Sequence, residues 1–491
     1  MSTSRRSTRT AFFTVLAGAC SITSTMPAQV PFRVVTIANN AGDVKLAGDI
    51  DLDGTADLVL GGSPQEGLYW YQYPSWTATR IATPATEFTT DGELGDVDGD
   101  GDLDIVVPDG PSGNNLLWFD NPTRRNGGSG NPFVGSQWTQ RVIGAIGSWG
   151  KDVEIGDFDR DGRRDVAARS NSDLWIFFQD AGGAWTRRLL TRSALGQEGL
   201  ASGDIDGDGD PDLVVHGRWL RNPGAALARD ATQWSVHVID AINVDAAFKA
   251  LVADVDRDGR NDVLYSSSEN TADVAWYSHA GAPTGTWRRS VIVPAANRAH
   301  TLQVADIDGD GDHDVVVGHM HTSSTPGVRI YYDRNGLGTA WQTQLVDGTN
   351  GVHNGVVLDL GADGDLELVG SNWTGNPPLR VWENLLPATE EILTVQTLIP
   401  GVSSGIRVTN CVPNSIVVCW VTAVGTTSPY PTGLGTTFDL ANPVILAWGA
   451  SGPNGVVDFA ITPPPLMSRR TIWFQSMEIG HKSNVVARRV Q

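Results

Sequence analysis

Sulfur and charge are both scarce. The 491 residues include 3 Cys and 5 Met, and only 19% are Asp, Glu, Lys or Arg. So few cysteines exclude a disulfide-built scaffold, and so low a charged fraction argues against wholesale disorder. Basic residues are the scarcer sign: 35 against 56 acidic ones leave a net charge of −21. Such a surplus repels nucleic-acid phosphates and anionic lipid headgroups, so neither is an expected partner. After the first residues no run reaches roughly eighteen consecutive apolar positions, so no membrane span is expected. In contrast, 56 Gly and 17 Trp point to tight turns joining short, aromatic-rich strands, an all-β chain.

Residues 1–28 read as a secretory leader. Arg5, Arg6 and Arg9 precede the apolar stretch Ala11 to Ala19, and small residues lead to Met26-Pro27-Ala28. The mature protein is therefore expected outside the cytoplasm, secreted or at the cell surface. It would keep Cys411 and Cys419, which either pair in that oxidising compartment or remain buried thiols.

An internal repeat organises most of the chain. An acidic segment recurs from Asp49, Asp96, Asp157, Asp204, Asp254, Asp306 and Asp359, about every fifty residues, with a Gly- and Asn-rich insertion at 123–137. Each period also carries four short β-branched or aromatic runs bounded by Gly, Pro, Asn and Asp, the signature of antiparallel strands. Four strands repeated seven times predict a seven-bladed β-propeller over residues 32–387. The Phe32 run has the character of a blade's last strand, so it is expected to complete the seventh blade from the other end of the chain. From 388 to 491 the acidic segments stop, and Val-, Thr- and Gly-rich runs predict a small β-sandwich.

The acidic segments follow D-x-D-x-D-G-x-x-D. Four carboxylates in nine residues, with Gly to reverse the chain, suit a hard cation held by oxygen alone, Ca²⁺ above all. The expected ligands are Asp49, Asp51, Asp53 and Asp57; Asp96, Asp98, Asp100 and Asp104; Asp157, Asp159, Asp161 and Asp165; Asp204, Asp206, Asp208 and Asp212; Asp254, Asp256, Asp258 and Asp262; and Asp306, Asp308, Asp310 and Asp314. The seventh copy has Asp359, Gly361, Asp363 and Glu367, so weak or absent metal is expected there. About six structural Ca²⁺ would reduce the net charge to roughly −9.

These loops, for example Gly95-Asp96-Val97-Asp98-Gly99-Asp100-Gly101-Asp102-Leu103-Asp104, resemble the FG-GAP or VCBS repeats of integrin α-subunit heads and many secreted bacterial proteins. The resemblance implies the propeller and its calcium loops, and is nearly silent on function. His353-Asn354-Gly355 and His319-Met320-His321 are also similar to segments of propellers related to aldos-2-ulose dehydratase, which implies action on sugar-derived carbonyl compounds.

If the first strand of each blade runs into the acidic loop, its start lies at the opposite face. Asp43, Thr90, Lys151, Glu198, Phe248, His300 and His353 are then expected to ring the channel mouth, with Asp109, Arg169, His216, His319, His321 and Asn372 on the same face. His300, His319, His321 and His353 fall on blades six and seven, where three imidazoles would suit Zn²⁺ or another transition metal. The bland alternative is histidines that hydrogen-bond or stack on sugars. The expected function is a secreted, monomeric, calcium-stabilised module that binds carbohydrate or an extracellular protein. The competing expectation is a metal-dependent sugar lyase or dehydratase, with His300, His353, Lys151 and Glu198 as its candidate catalytic residues.

Overall fold

The computed structural model describes residues 29–385 with short breaks, and mainly the strands between 392 and 489. Seven four-stranded antiparallel sheets form the blades of a propeller. Their first strands are Val44–Gly48, Glu93–Gly95, Gly150–Gly156, Ala201–Gly203, Phe248–Ala253, Ala299–Ala305 and His353–Leu358. The seventh blade combines His353–Leu358, Glu367–Ser371 and Leu379–Asn384 with Phe32–Ala38 from the start of the chain. Val34 pairs with Trp382 and Phe32 with Asn384, so the ring closes by strand pairing between distant segments.

Blades stack through aromatic third strands. Trp70, Trp219, Trp276 and Trp382 all lie there and are among the largest fully buried side chains. Alternation along each strand sends these rings into the gaps between blades, where the apolar clusters lie. Polar clips join the blades as well. Asn222 donates from Nδ2 to the carbonyls of Phe158 and Pro211, at 2.8 and 3.1 Å, linking blade four to blade three. Asn121 reaches Ile50 and Asn384 reaches Ile307 in the same way.

The C-terminal strands form separate sheets. One pairs Ile416–Thr422 with Val444–Ala450 and Thr471–Glu478, and another joins Ile392–Val395, Ser404–Thr409 and Val457–Ile461. Cys419 is buried, whereas Cys411, Thr90, Asp363 and the leader at 1–28 lie outside the described residues. No helix among the described residues is long and apolar enough to cross a membrane.

Candidate functional site

Two chemically distinct ends meet along the first strands: an acidic loop at one end and a mixed cluster at the other. In the loops the sixth residue adopts a left-handed φ in all seven copies, from 84° at Gly259 to 96° at Gly101, a conformation that only glycine adopts without strain. The first Asp accepts the N–H of that glycine in every copy, as in Gly101 N to Asp96 Oδ2 at 3.1 Å and Gly364 N to Asp359 Oδ2 at 3.0 Å.

The ninth residue has a second duty. Asp212 accepts Ile205 N at 3.1 Å through Oδ2 and Asn222 N at 2.7 Å through Oδ1, tying the start of the loop to its end and to the residue after the third strand. Burial pushes the Asp212 carboxyl up to about 8, against the pull of those two N–H donors. A carboxylate oxygen keeps a further lone pair, and Asp157, Asp159 and Asp165, like Asp204, Asp206 and Asp212, still bring one oxygen each within 4.8 Å of one another. Asp49, Asp51 and Asp53, and Asp96, Asp98 and Asp100, converge to the same degree. Arginines also enter this ring of acids: Arg221 Nη2 lies 3.1 Å from Asp208, and Arg229 and Arg334 pair with Asp159 and Asp308.

At the other end, five of the residues expected at the channel mouth come together. Lys151 Nζ is 3.5 Å from Glu198 Oε2, Glu198 Oε1 is 3.4 Å from His300 Nε2, and the rings of His300 and His353 stand 3.5 Å apart. His353 Nδ1 lies 2.7 Å from Asp43 Oδ1. Ser268 also donates to Glu198. Burial, reinforced by the neighbouring imidazole of His353 and by Lys249, holds His300 well below the ordinary histidine value, and burial lowers His353 too, with Asp43 opposing. Both rings are therefore neutral near pH 7.

Local backbone irregularity accompanies three of the five residues that reach the mouth. Register shifts interrupt the first strands of blades three, six and seven beside Lys151, at His300, and between His353 and Val356. A bulge breaks the in-and-out alternation and re-aims a side chain. Asn354 sits in the blade-seven bulge with a left-handed φ of 51°. Phe248, in the unshifted first strand of blade five, departs from the expected ring. It is fully buried, between the rings of His216 and Tyr265.

Other expected members are also diverted. Arg169 is fully buried and donates to the carbonyls of Gly199 and Gly196 at 3.1 and 3.0 Å. Asp109 closes a turn by accepting Asn115 N at 3.0 Å. The imidazole Nδ1 of His319 lies 2.8 Å from the carbonyl oxygen of Asn297, and exposed His321 faces Trp373 at 6.5 Å. Asn372 has a buried Oδ1. The group brought within 4.8 Å of one another is instead Glu269, His300 and His353. Glu269 was legible in principle: it occupies, after the second strand of blade five, the position that His321 occupies in blade six.

Below the mouth, the channel opens into a cavity of about 260 Å³ lined in part by Lys45, Asp91, Asp152, Glu154, Lys249 and His300. Lys45 Nζ donates to the carbonyls of Gly42 and His353 at 2.7 and 2.6 Å, and burial lowers it to about 7. Lys249 lies 3.6 Å from Asp152. Burial raises Glu154 to about 8. Above the mouth lies a second pocket of about 580 Å³, walled by Lys151, Glu198 and Glu269 and by Asn171, Gln197 and Asn270. Trp149 stands at its rim, 46% exposed, with a left-handed φ of 57° and Lys151 Nζ 5.3 Å from its ring centre.

The FG-GAP-like repeat family matches residues 49–107, 96–168, 157–215 and 254–317, four stretches that take in six of the seven acidic loops. The propeller is built of FG-GAP-like repeats. FG-GAP-like propellers typically serve as binding or structural modules. No curated protein sequence matches the chain significantly. Among solved structures, a fungal alcohol oxidase of the AA5 family in complex with copper is similar at 12% identity and TM-score 0.50, over 94% of this chain and 99% of that one. BBS1N in complex with ARL6DN matches at 12% identity and TM-score 0.44, over 71% and 94%. The V. cholerae biofilm matrix protein Bap1 matches at 10% identity and TM-score 0.34, over 94% and 84%. At these identities the likeness concerns the fold.

Proposed function

We propose that this FG-GAP-like propeller is an exported, calcium-stabilised module that binds carbohydrate at the pocket beside Trp149. The observation that carries this reading is the pairing of an exposed indole with amide and carboxylate side chains around one concave space. An aromatic face packs against the C–H surface of a sugar ring, while Asn171, Gln197, Asn270 and Arg298 offer donors and acceptors for hydroxyls. Trp149 is also held in a backbone conformation costly for a bulky residue, and such strain concentrates where a side chain is presented to a ligand.

The export part rests on Arg5, Arg6, Arg9 and the apolar stretch after them, and the calcium part on the recurrence of the acidic loop geometry. A glycan array on the mature protein, with Trp149→Gly beside it, tests the ligand. Glycine accepts the left-handed backbone, so the variant removes the ring without adding strain. We expect a bound glycan whose affinity falls about tenfold or more, ~1.4 kcal/mol. Glycan binding unchanged by that variant would place the ligand elsewhere.

A second reading, a metal-dependent sugar lyase or dehydratase, is favoured by one observation, the convergence of Glu269 with two neutral imidazoles at the pocket floor. There Glu198 and Lys151 would stand beside the reacting carbon as candidate base and acid.

A further inference from the structure

We infer that Glu269, His300 and His353 form a binding site for one divalent first-row transition ion, at the junction of blades five, six and seven. One ligand atom from each lies within 4.8 Å of the other two, and both histidines are buried. Nε2 of His300, a residue only 1% exposed, makes no hydrogen bond. A buried imidazole nitrogen without a hydrogen bond is unfavourable unless something binds it.

The opposite nitrogen of His300 is already engaged, with Nδ1 3.0 Å from Asn354 Oδ1. His353 Nδ1 lies 2.7 Å from Asp43 Oδ1 but, like His300 Nε2, completes no hydrogen bond. In His300 the oxygen acceptor at Nδ1 places the ring proton there and directs the Nε2 lone pair outward, the arrangement by which oxygen partners orient metal-binding histidines. Asn354 is therefore a positioning residue. The left-handed backbone at Asn354 and the bulge at His300 bring these groups into register.

Two imidazoles and one carboxylate match the three-ligand sets that hold Zn²⁺ and leave a position open. Metal–nitrogen distances of about 2.1 Å need donors about 3.3 Å apart, against the 4.8 Å within which these donors now lie. The open position lies beside Glu198, whose Oε1 is 3.4 Å from His300 Nε2. Nitrogen donors also separate this site from the acidic loops, since Ca²⁺ takes oxygen ligands and imidazole suits zinc, copper, iron or nickel. The inference stands apart from the carbohydrate reading, because the metal alone is the probe.

The test is titration of chelator-stripped, calcium-reloaded mature protein with Zn²⁺ by calorimetry, and with Co²⁺ by visible absorption. We expect one equivalent to bind with calcium in excess, with a cobalt spectrum of low coordination number. His300→Ala combined with His353→Ala should abolish both signals. Asn354→Ala should weaken binding about 10–100-fold while the full calcium content stays in place. Wild-type protein that takes up neither ion under these conditions overturns the inference. So does stoichiometric uptake that persists in the folded double-histidine variant.

Discussion

The imidazoles of His300 and His353 stand 3.5 Å apart, centre to centre, although 53 positions separate them and each opens a different blade. Their contact exists because the first strands of neighbouring blades converge on the channel and because each strand is bulged where its histidine sits. The propeller therefore carries two kinds of acidic cluster with different chemistry, one repeated around the ring and one assembled once.

Calcium removal should destabilise the propeller. Each calcium ion that binds the folded state and not the unfolded chain contributes by mass action about 2.7 kcal/mol at a concentration one hundred times its dissociation constant. Chelation is expected to lower the melting temperature, and readdition of calcium to restore it. Metal analysis should find about six equivalents, since the seventh copy has Gly361 at the third position of the pattern. An unchanged melting temperature in chelator would remove the calcium reading.

Loss of an inter-blade clip should weaken folding without touching the mouth. Asn222→Ala strands the buried carbonyls of Phe158 and Pro211, at a penalty of about 1–3 kcal/mol. Denaturant unfolding in calcium-containing buffer would reveal it as a lower midpoint. Equal midpoints would mean that water replaces the amide at no penalty.

Stability should fall as pH rises from roughly 4.5 to 8. Burial raises the Glu154 carboxyl from its ordinary value of 4.5 to about 8, and Glu93 beside it moves the same way. Between those values the unfolded chain releases a proton that the folded chain retains, so unfolding gains with each step in pH. Ser202 Oγ lies 2.7 Å from Glu154 Oε2 at pocket depth, and Glu154→Gln keeps an acceptor there. That variant should flatten the pH dependence and be the more stable protein at about pH 9. Parallel stability curves for the two proteins would refute the assignment.

How much of this was legible beforehand differs between the two ends of the strands. The acidic loops are local: nine consecutive residues carry their own turn, glycine and carboxylates, so reading the chain was enough to locate them. The mouth is not. Lys151, Glu198, His300, His353 and Asp43 could be aligned by counting back from each loop, and they do converge. Phe248 holds the matching position in blade five but packs between His216 and Tyr265, because an apolar ring gains more from burial between aromatic neighbours than from the polar mouth. Counting also passed over Glu269, which reaches the histidines from a turn two residues beyond the end of its strand.

The linear pattern by itself determined the number of blades and the position of every acidic loop, because each loop, and each blade but the seventh, is made of contacts within about fifty residues. Only the folded ring decided which side chains share the channel. That choice depends on small register shifts at the starts of strands and on seven blades closing to a common centre, and neither leaves a mark in a stretch of sequence shorter than the whole propeller.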